Sequence, residues 1–376
     1  MINLAKVVLP NQTIGIIGGG QLGKMMTLSA KAMGFRVVVL DPTPNCPCGQ
    51  VADEQIVGTY NDIHAIQELA KRSDVITYEF ENIDADCLEW LTNNAYVPQG
   101  TEILRITQNR ILEKAAIQKA GAPVAPYHVI EKQENLVPAF KDLGFPAVLK
   151  TATGGYDGKG QVVIQSKEDI DKALPLIKHG PCVLEQWVPF QKEISVIIVK
   201  NLNGETAVLP IAENIHKNNI LHMTIAPARI NKDIKEKAIY AAKQIAASLH
   251  LVGTLAVEMF LTNNNKIYIN ELAPRPHNSG HYSIEACVTS QFEQHIRAIC
   301  NWPLGSTEIV KPAVMVNILG QHVEPLTSNI KNYKNWKIHL YGKDEVKHNR
   351  KMGHITCLSD NHDQALSEIQ RFNIWN

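Results

Sequence analysis

The stretch Thr153-Gly154-Gly155-Tyr156-Asp157-Gly158-Lys159-Gly160-Gln161 packs four glycines into seven positions directly after an apolar run, Ala147 to Lys150, that reads as a strand. A backbone so rich in glycine bends tightly and offers many amide donors, and Lys150 and Lys159 add positive charge, so the segment is suited to closing over a polyphosphate. It is not a P-loop, because G-x-x-x-x-G-K-[ST] requires a hydroxyl residue after the lysine and Gly160 stands there. A plain glycine-rich hairpin would have no use for the functional groups of Tyr156 and Asp157.

C-terminal to this flap, apolar runs at Cys182 to Val188, Ile194 to Val199 and Ala207 to Ile211 predict strands, after a helix near Glu168 to Ile177. Ile234, Ala238, Ala241, Ala242, Ile245 and Leu249 recur at helical spacing and predict an amphipathic helix over 233–249. Strands at Thr254 to Leu261 and Lys266 to Leu272, a helix from Ser283 to about Ile299, and a tail of three short β runs and one helix complete this side. On the N-terminal side, Thr107 reads as the cap of a helix carrying Ile111, Leu112 and Ala115 and ending at Gly121.

Farther back, an apolar run over 13–17 ends in Gly18-Gly19-Gly20, followed by a helical Gln21 to Met33 and a strand-like Arg36 to Leu40. With the helical Ile63 to Lys71 and the run Asp74 to Phe80, this predicts a doubly wound parallel sheet. The expected organisation is an N-terminal Rossmann-like domain over 1–105, a central α+β domain over 106–305 with a lid at about 122–190, and a small β-rich C-terminal domain over 306–376.

Several further segments carry chemistry. Gly18 to Gly23 fits G-x-G-x-x-G, with Asp41 closing the next strand. Taken alone this predicts an anionic phosphate at the helix N-terminus and, as a rival class, a dinucleotide-dependent oxidoreductase. Glu185-Gln186-Trp187-Val188 offers main-chain donors and acceptors beside large apolar groups, as an adenine slot requires, and Glu193 could accept from ribose hydroxyls. If Asn264-Asn265 is a two-residue turn, Glu258 faces Glu271 on the neighbouring strand, and two such carboxylates suit a hard divalent cation such as magnesium. Pairing with nearby lysine or arginine is the alternative. The proline-rich Ala273 to His281 concentrates Arg275, His277 and Asn278 on a loop just after these acids. Lys343 and Arg350, with Lys351 and His354 nearby, could clamp a phosphate.

Composition narrows the class. Lysine plus arginine (37) equal aspartate plus glutamate (37) in 376 residues, so no overall field favours nucleic acid or an anionic membrane. No targeting segment or apolar membrane span is visible, and seven scattered cysteines suggest reduced thiols, which predicts a cytoplasmic protein.

Taken in order, Gly18 to Gly23, Tyr78 to Asn82 (YEFEN), Gly154 to Gln161, Glu185 to Val188, Asn270 to His281 (NELAPRPHNSGH) and Arg350 to His354 (RKMGH) resemble the ATP-grasp superfamily. Within it, the closest resemblance is to the N5-carboxyaminoimidazole ribonucleotide synthetases, over nearly the whole chain. The resemblance implies ATP-dependent carboxylation of 5-aminoimidazole ribonucleotide with bicarbonate through carboxyphosphate, in purine biosynthesis. It implies ATP with Mg2+ (Mn2+ possible) as cofactors and a homodimer as the assembly.

By the same resemblance ATP would be held by Arg110, Lys150, the flap residues Gly155, Tyr156, Asp157, Gly158, Lys159, Gly160 and Gln161, the run Glu185, Gln186, Trp187 and Val188, and Glu193, His216, Asn270 and Glu271. Glu258 and Glu271 would hold the metal. Gly20, Gln21, Leu22, Glu79, Tyr156, Lys343 and Arg350 would face the ribonucleotide, and Asp157, Arg275, His277 and Asn278 would surround the carboxyl transfer, with Asp157 or His277 moving the amine proton. Two other readings remain: another ATP-grasp ligase of the formate-dependent glycinamide ribonucleotide transformylase kind, and a silent nucleotide sensor, which would not need the charged transfer site.

Overall fold

Three short apolar runs and one half-exposed edge strand build the first sheet. Strands β1 (Thr13–Ile17), β2 (Arg36–Asp41), β3 (Glu54–Val57) and β4 (Val75–Tyr78) lie parallel in the order β3-β2-β1-β4. β1, β2 and β4 are buried almost throughout because helices cover both faces, the arrangement that all-parallel sheets demand. Ile14, Ile16, Val37 and Val39 pack on the helix Gln21–Ala32 and on Phe292, Ile296 and Ile299 from the far half of the chain. Ile17, Val38 and Leu40 pack on the helices Ile63–Lys71 and Ala85–Asn94.

The computed structural model describes residues 6–155, 159–372 and 374–375. A second, antiparallel sheet, β5 (Tyr127–Ile130), β6 (Ala147–Thr151), β7 (Gln161–Ile164) and β8 (Cys182–Gln186), runs in the order β5-β8-β6-β7 over its own core of Phe140, Leu149 and Leu184. The flap joins β6 to β7, and its Tyr156, Asp157 and Gly158 lie outside the described residues.

The third sheet holds β9 (Phe190–Lys200), β10 (Thr206–Val208), β11 (Ala212–Lys217), β12 (Ile220–Ala226), β13 (Gly253–Thr262), β14 (Ile267–Ala273), β15 (Ala313–Leu319), β16 (Trp336–Leu340) and β17 (Lys351–Leu358). Its order is β14-β13-β9-β11-β12-β15-β17-β16, with β10 on β9. Met223 pairs with Val316, so the C-terminal strands prolong the central sheet. The helix Lys232–Ser248 buries its Ile234, Ala238, Ala242 and Ile245 stripe against β9 and β13.

Three local expectations are corrected. Thr107 ends a short helix, Glu102–Thr107, and Asn109 caps the next, Arg110–Lys119, by accepting from the Ile111 and Leu112 amides. The helix expected from Ser283 onward breaks into Ser283–Ala286 and Gln291–Ile299. There Cys287 turns extended and Ser290 accepts from the Glu293 N–H, starting a new helix. The hairpin β11–β12 was not among the expected strands. Among the described residues no helix is long and apolar enough to cross a membrane.

Candidate active site

The acid pair is set by sheet register. Glu258 on β13 lies opposite Glu271 on β14, and both line a cavity of about 920 Å3 that residues of the second and third sheets and the loop after β4 share. The alignment does not come from a two-residue turn. Thr262 donates to the Lys266 carbonyl (2.9 Å), so the connection is the three residues Asn263 to Asn265, with Asn265 at φ 58°. That turn displaces the pairing by one residue, and a bulge at Asn270, between the Met259–Ile269 and Glu258–Glu271 pairs, restores it.

The charges around the pair neutralise it only in part. Burial and the charge of Glu271 push Glu258 up to about 8. Glu113, which accepts from the Leu272 N–H at 2.7 Å, is pushed to about 8 by the same two causes. Arg110 Nη1 is 3.5 Å from Glu271. His277 Nε2 is 3.1 Å from Glu258 Oε1. However, burial and then the Arg275 charge hold the His277 ring well below its ordinary pKa, so it brings a hydrogen bond and no charge. A divalent cation fits such a pair. Among the described residues no cluster of three or more acidic, His or Cys ligands forms, so protein would supply two carboxylates and leave positions for phosphate oxygens and water.

Beside the acids lies a buried cationic triad. Glu185 sits between Lys150 (3.3 Å) and Lys114 (3.1 Å), and Lys150 also donates to Asn270 Oδ1 (3.3 Å). Burial alone would raise Glu185, but Lys150 and Lys114 outweigh it and keep it ionised below the usual range. Lys114 and Glu113 were not singled out from the sequence. Their signal was helical spacing, since Lys114 follows the phosphate candidate Arg110 at i+4 and Glu113 at i+3. Of the flap, Gly154, Gly155, Lys159 and Gln161 line the cavity and Gly160 does not.

An apolar slot continues from there, walled by Val148, Val163, Val188, Leu221 and Phe260, with Phe190 stacked on Phe260 at 4.7 Å. Gln186 and Trp187 also line it, but their N–H groups are taken by the Pro126 and Pro146 carbonyls, at 2.9 and 3.1 Å. At the slot's end His216 Nδ1 is 3.2 Å from Glu193 Oε1. Burial would lower His216, but the Glu193 carboxylate outweighs it and raises the ring's pKa.

The opposite end reaches the glycine turn. The amides of Gly20 and Leu22 donate to the Glu79 carboxylate, and Gly19 N–H donates to Asp41 Oδ2 at 2.7 Å. Hence the helix N-terminus is occupied by the protein's own anions and is not an open phosphate cradle, which corrects that expectation. Asp41 further accepts from Tyr60 (2.6 Å), so the acid that would grip a dinucleotide ribose is committed, and the oxidoreductase reading loses its site. Gln21 points into the cavity and its Oε1 accepts from Lys343 Nζ at 2.8 Å. Arg350 instead donates to the Glu345 carbonyl (2.9 Å) and is absent from the wall, where Lys351 stands. Arg275 pairs with Glu81 at 2.9 Å, and both side-chain polar atoms of buried Asn278 lack a partner among the described residues.

The chain is an ATP-grasp ligase. Residues 115–292 match the ATP-grasp domain, 11–108 the ribonucleotide synthetase preATP-grasp domain, and 313–368 the phosphoribosylaminoimidazole carboxylase C-terminal domain. More narrowly, it belongs to the N5-carboxyaminoimidazole ribonucleotide synthase family. The synthase of Bacillus subtilis (strain 168) is 55% identical over 97% of this chain and 96% of its own. A crystal structure of the Staphylococcus aureus synthetase complexed with ADP superposes with a TM-score of 0.94 at 44% identity, covering 97% of this chain and 98% of that one. One of the Aspergillus clavatus synthase in complex with ADP and 5-aminoimidazole ribonucleotide gives 0.89 at 34% identity, covering 96% and 97%.

Proposed function

We propose that this ligase phosphorylates bicarbonate with ATP and transfers the resulting carboxyl group to the exocyclic amine of 5-aminoimidazole ribonucleotide, yielding N5-carboxyaminoimidazole ribonucleotide, ADP and phosphate. The observation that carries the reading is the Glu258–Glu271 pair, facing across two strands within the cavity that also holds Lys150 and Arg110. A bicarbonate oxygen attacks the γ-phosphorus and ADP leaves. The amine nitrogen then attacks the carbonyl carbon of carboxyphosphate, inorganic phosphate leaves with the C–O electrons, and the amine loses a proton.

Adenine fits the slot between Val148, Val163 and Phe260, with Val188 supplying the edge contact now that Gln186 and Trp187 are engaged. Glu193 takes the ribose, while Lys150, Arg110 and the flap take the phosphates. Glu258 and Glu271, with Asn270 beside them, would hold Mg2+, or Mn2+ in its place, which would supply Lewis-acid stabilisation of the phosphate charge. Arg275 stabilises the carboxyphosphate charge, and Asn278 offers its unpartnered amide to the reacting carboxyl. Gln21 and Lys343 meet the ribonucleotide. The homodimer is carried over from the family resemblance, and the cytoplasmic setting from the seven scattered cysteines.

ATP consumption with Mg2+ should require bicarbonate and 5-aminoimidazole ribonucleotide together. An unchanged rate when the ribonucleotide is omitted overturns the proposal.

A further inference from the structure

The ring of His277 has both nitrogens engaged, and the partner of the inner one leads away from the cavity through a line of buried hydroxyl and amide groups. Ser279 lies two residues on, and its main-chain N–H donates to His277 Nδ1 at 3.3 Å while its Oγ is 2.9 Å from the same nitrogen. Ser195 Oγ donates to Ser279 Oγ at 2.7 Å, Asn214 Nδ2 donates to Ser195 Oγ at 3.0 Å, and Thr224 Oγ1 donates to Asn214 Oδ1 at 3.0 Å. Ser195, Ser279 and Thr224 are fully buried and Asn214 is 5% exposed, so no water competes for these bonds.

Sheet register explains why the line exists. Ser195 on β9 stands opposite Glu258 on β13, which stands opposite Glu271 on β14, so a serine and two acids form one row across three strands. Asn214 on β11 lies opposite Thr224 on β12. A hydroxyl at 195 and an amide at 214 are costly to bury unless each finds a partner, and nothing in the packing of an apolar core asks for them.

The direction of the chain is fixed at its inner end. A main-chain N–H cannot be turned round, so Nδ1 must present a lone pair to Ser279. The Ser279 hydroxyl, already accepting from Ser195, then gives its own proton to Nδ1 as well. Reversing the Asn214 amide would send the Ser195 proton back to residue 214 and require a protonated Nδ1, which would then face the Ser279 N–H. With Nδ1 an acceptor, the neutral ring carries its proton on Nε2, 3.1 Å from Glu258 Oε1. The main chain is locked separately: Gln291 Oε1 accepts from the His277 N–H (2.9 Å) and Gln291 Nε2 donates to the His277 carbonyl (2.7 Å).

We propose that Ser195 and Asn214 are positioning residues, whose directional hydrogen-bond chain through Ser279 holds His277 in the Nε2–H tautomer with that proton aimed at the reacting end of the cavity. On this view His277 serves the site as a hydrogen-bond donor, its Nε2–H directed at Glu258. The inference rests on the proposed transfer site for its meaning but not for its test.

In full-length, metal-free protein labelled with 15N-histidine, two-bond proton–nitrogen spectra distinguish the tautomers. The His277 signals are identified by their loss in His277→Gln. The wild type should show one ring with Nδ1 unprotonated and Nε2 protonated. Asn214→Asp, which can only accept from Ser195, should reverse the chain and shift His277 toward the Nδ1–H form. Ser195→Ala, a smaller side chain that the strand accommodates, should broaden or average the two nitrogens. In turnover, Ser195→Ala should lower kcat about tenfold with little change in the KM for ATP, on the scale of one lost buried hydrogen bond. Wild-type nitrogen shifts in both variants overturn the chain, as does a wild-type His277 in the Nδ1–H form. If the shifts respond but kcat does not, the positioning role fails while the carboxylation reading stands.

Discussion

Replacing Glu258 with glutamine should make the metal-free protein more stable while abolishing turnover, and the size of the gain should depend on pH. In the folded chain Glu258 titrates at about 8 because of burial and the Glu271 charge, against 4.5 for an unhindered glutamate. Between those values the native state holds a proton that the unfolded chain has released, so stability falls as pH rises from about 4.5 to about 8 and is level above. At about 1.4 kcal/mol per pH unit the full interval gives roughly 5 kcal/mol. Since 14% of the side chain still meets solvent, about half of that, roughly 2–3 kcal/mol, is a fairer figure. Glutamine keeps an oxygen for His277 Nε2–H and has no proton to lose. Urea unfolding of wild type and Glu258→Gln, with chelator present, should therefore coincide near pH 5 and separate by about 2 kcal/mol at pH 9. Adding Mg2+ should raise the wild-type midpoint and leave the variant's where it was. A gap of the same size at both pH values, or none at pH 9, would refute the electrostatic reasoning.

Two further outcomes follow from neighbouring groups. Glu185→Gln would leave the Lys114 and Lys150 ammoniums buried without their shared carboxylate, so unfolding free energy should drop by about 3–5 kcal/mol, read from urea midpoints at pH 7. Lys343 is brought down to about 8 by burial and then by Arg350, so it is charged below that pH and loses its charge above it. The KM for the ribonucleotide should accordingly rise as pH passes 8, with a flat profile in Lys343→Gln and no matching change in the KM for ATP.

Much of the fold could be read along the chain because its periodicities are local. The β1-turn-helix-β2 unit and the 233–249 stripe need only neighbouring residues to declare themselves. The β11–β12 hairpin escaped notice because its inward positions include Asn214 and Thr224, which break the apolar alternation in favour of buried hydrogen bonds. The pairing of Glu258 with Glu271 was anticipated, but through a two-residue turn. The structure reaches the same alignment through a three-residue turn and a bulge that cancel, and neither is visible without the strand opposite. The glycine turn misleads for a related reason: Glu79, 57 and 59 positions from the amides it fills, is brought there only by the parallel pairing of β1 with β4.

The bond between β12 and β15 bears on how this chain could be taken apart. A cut at Pro312 would not release a freestanding tail; it would bare the Met223–Ala226 flank that Ala313–Val316 now covers, a row of unpaired amides and carbonyls ready to recruit strands from other molecules. Lys351 would leave the wall of the cavity in the same stroke. Chimeras between relatives should therefore exchange the third sheet whole, with their crossover points placed in the helix-covered segments before it.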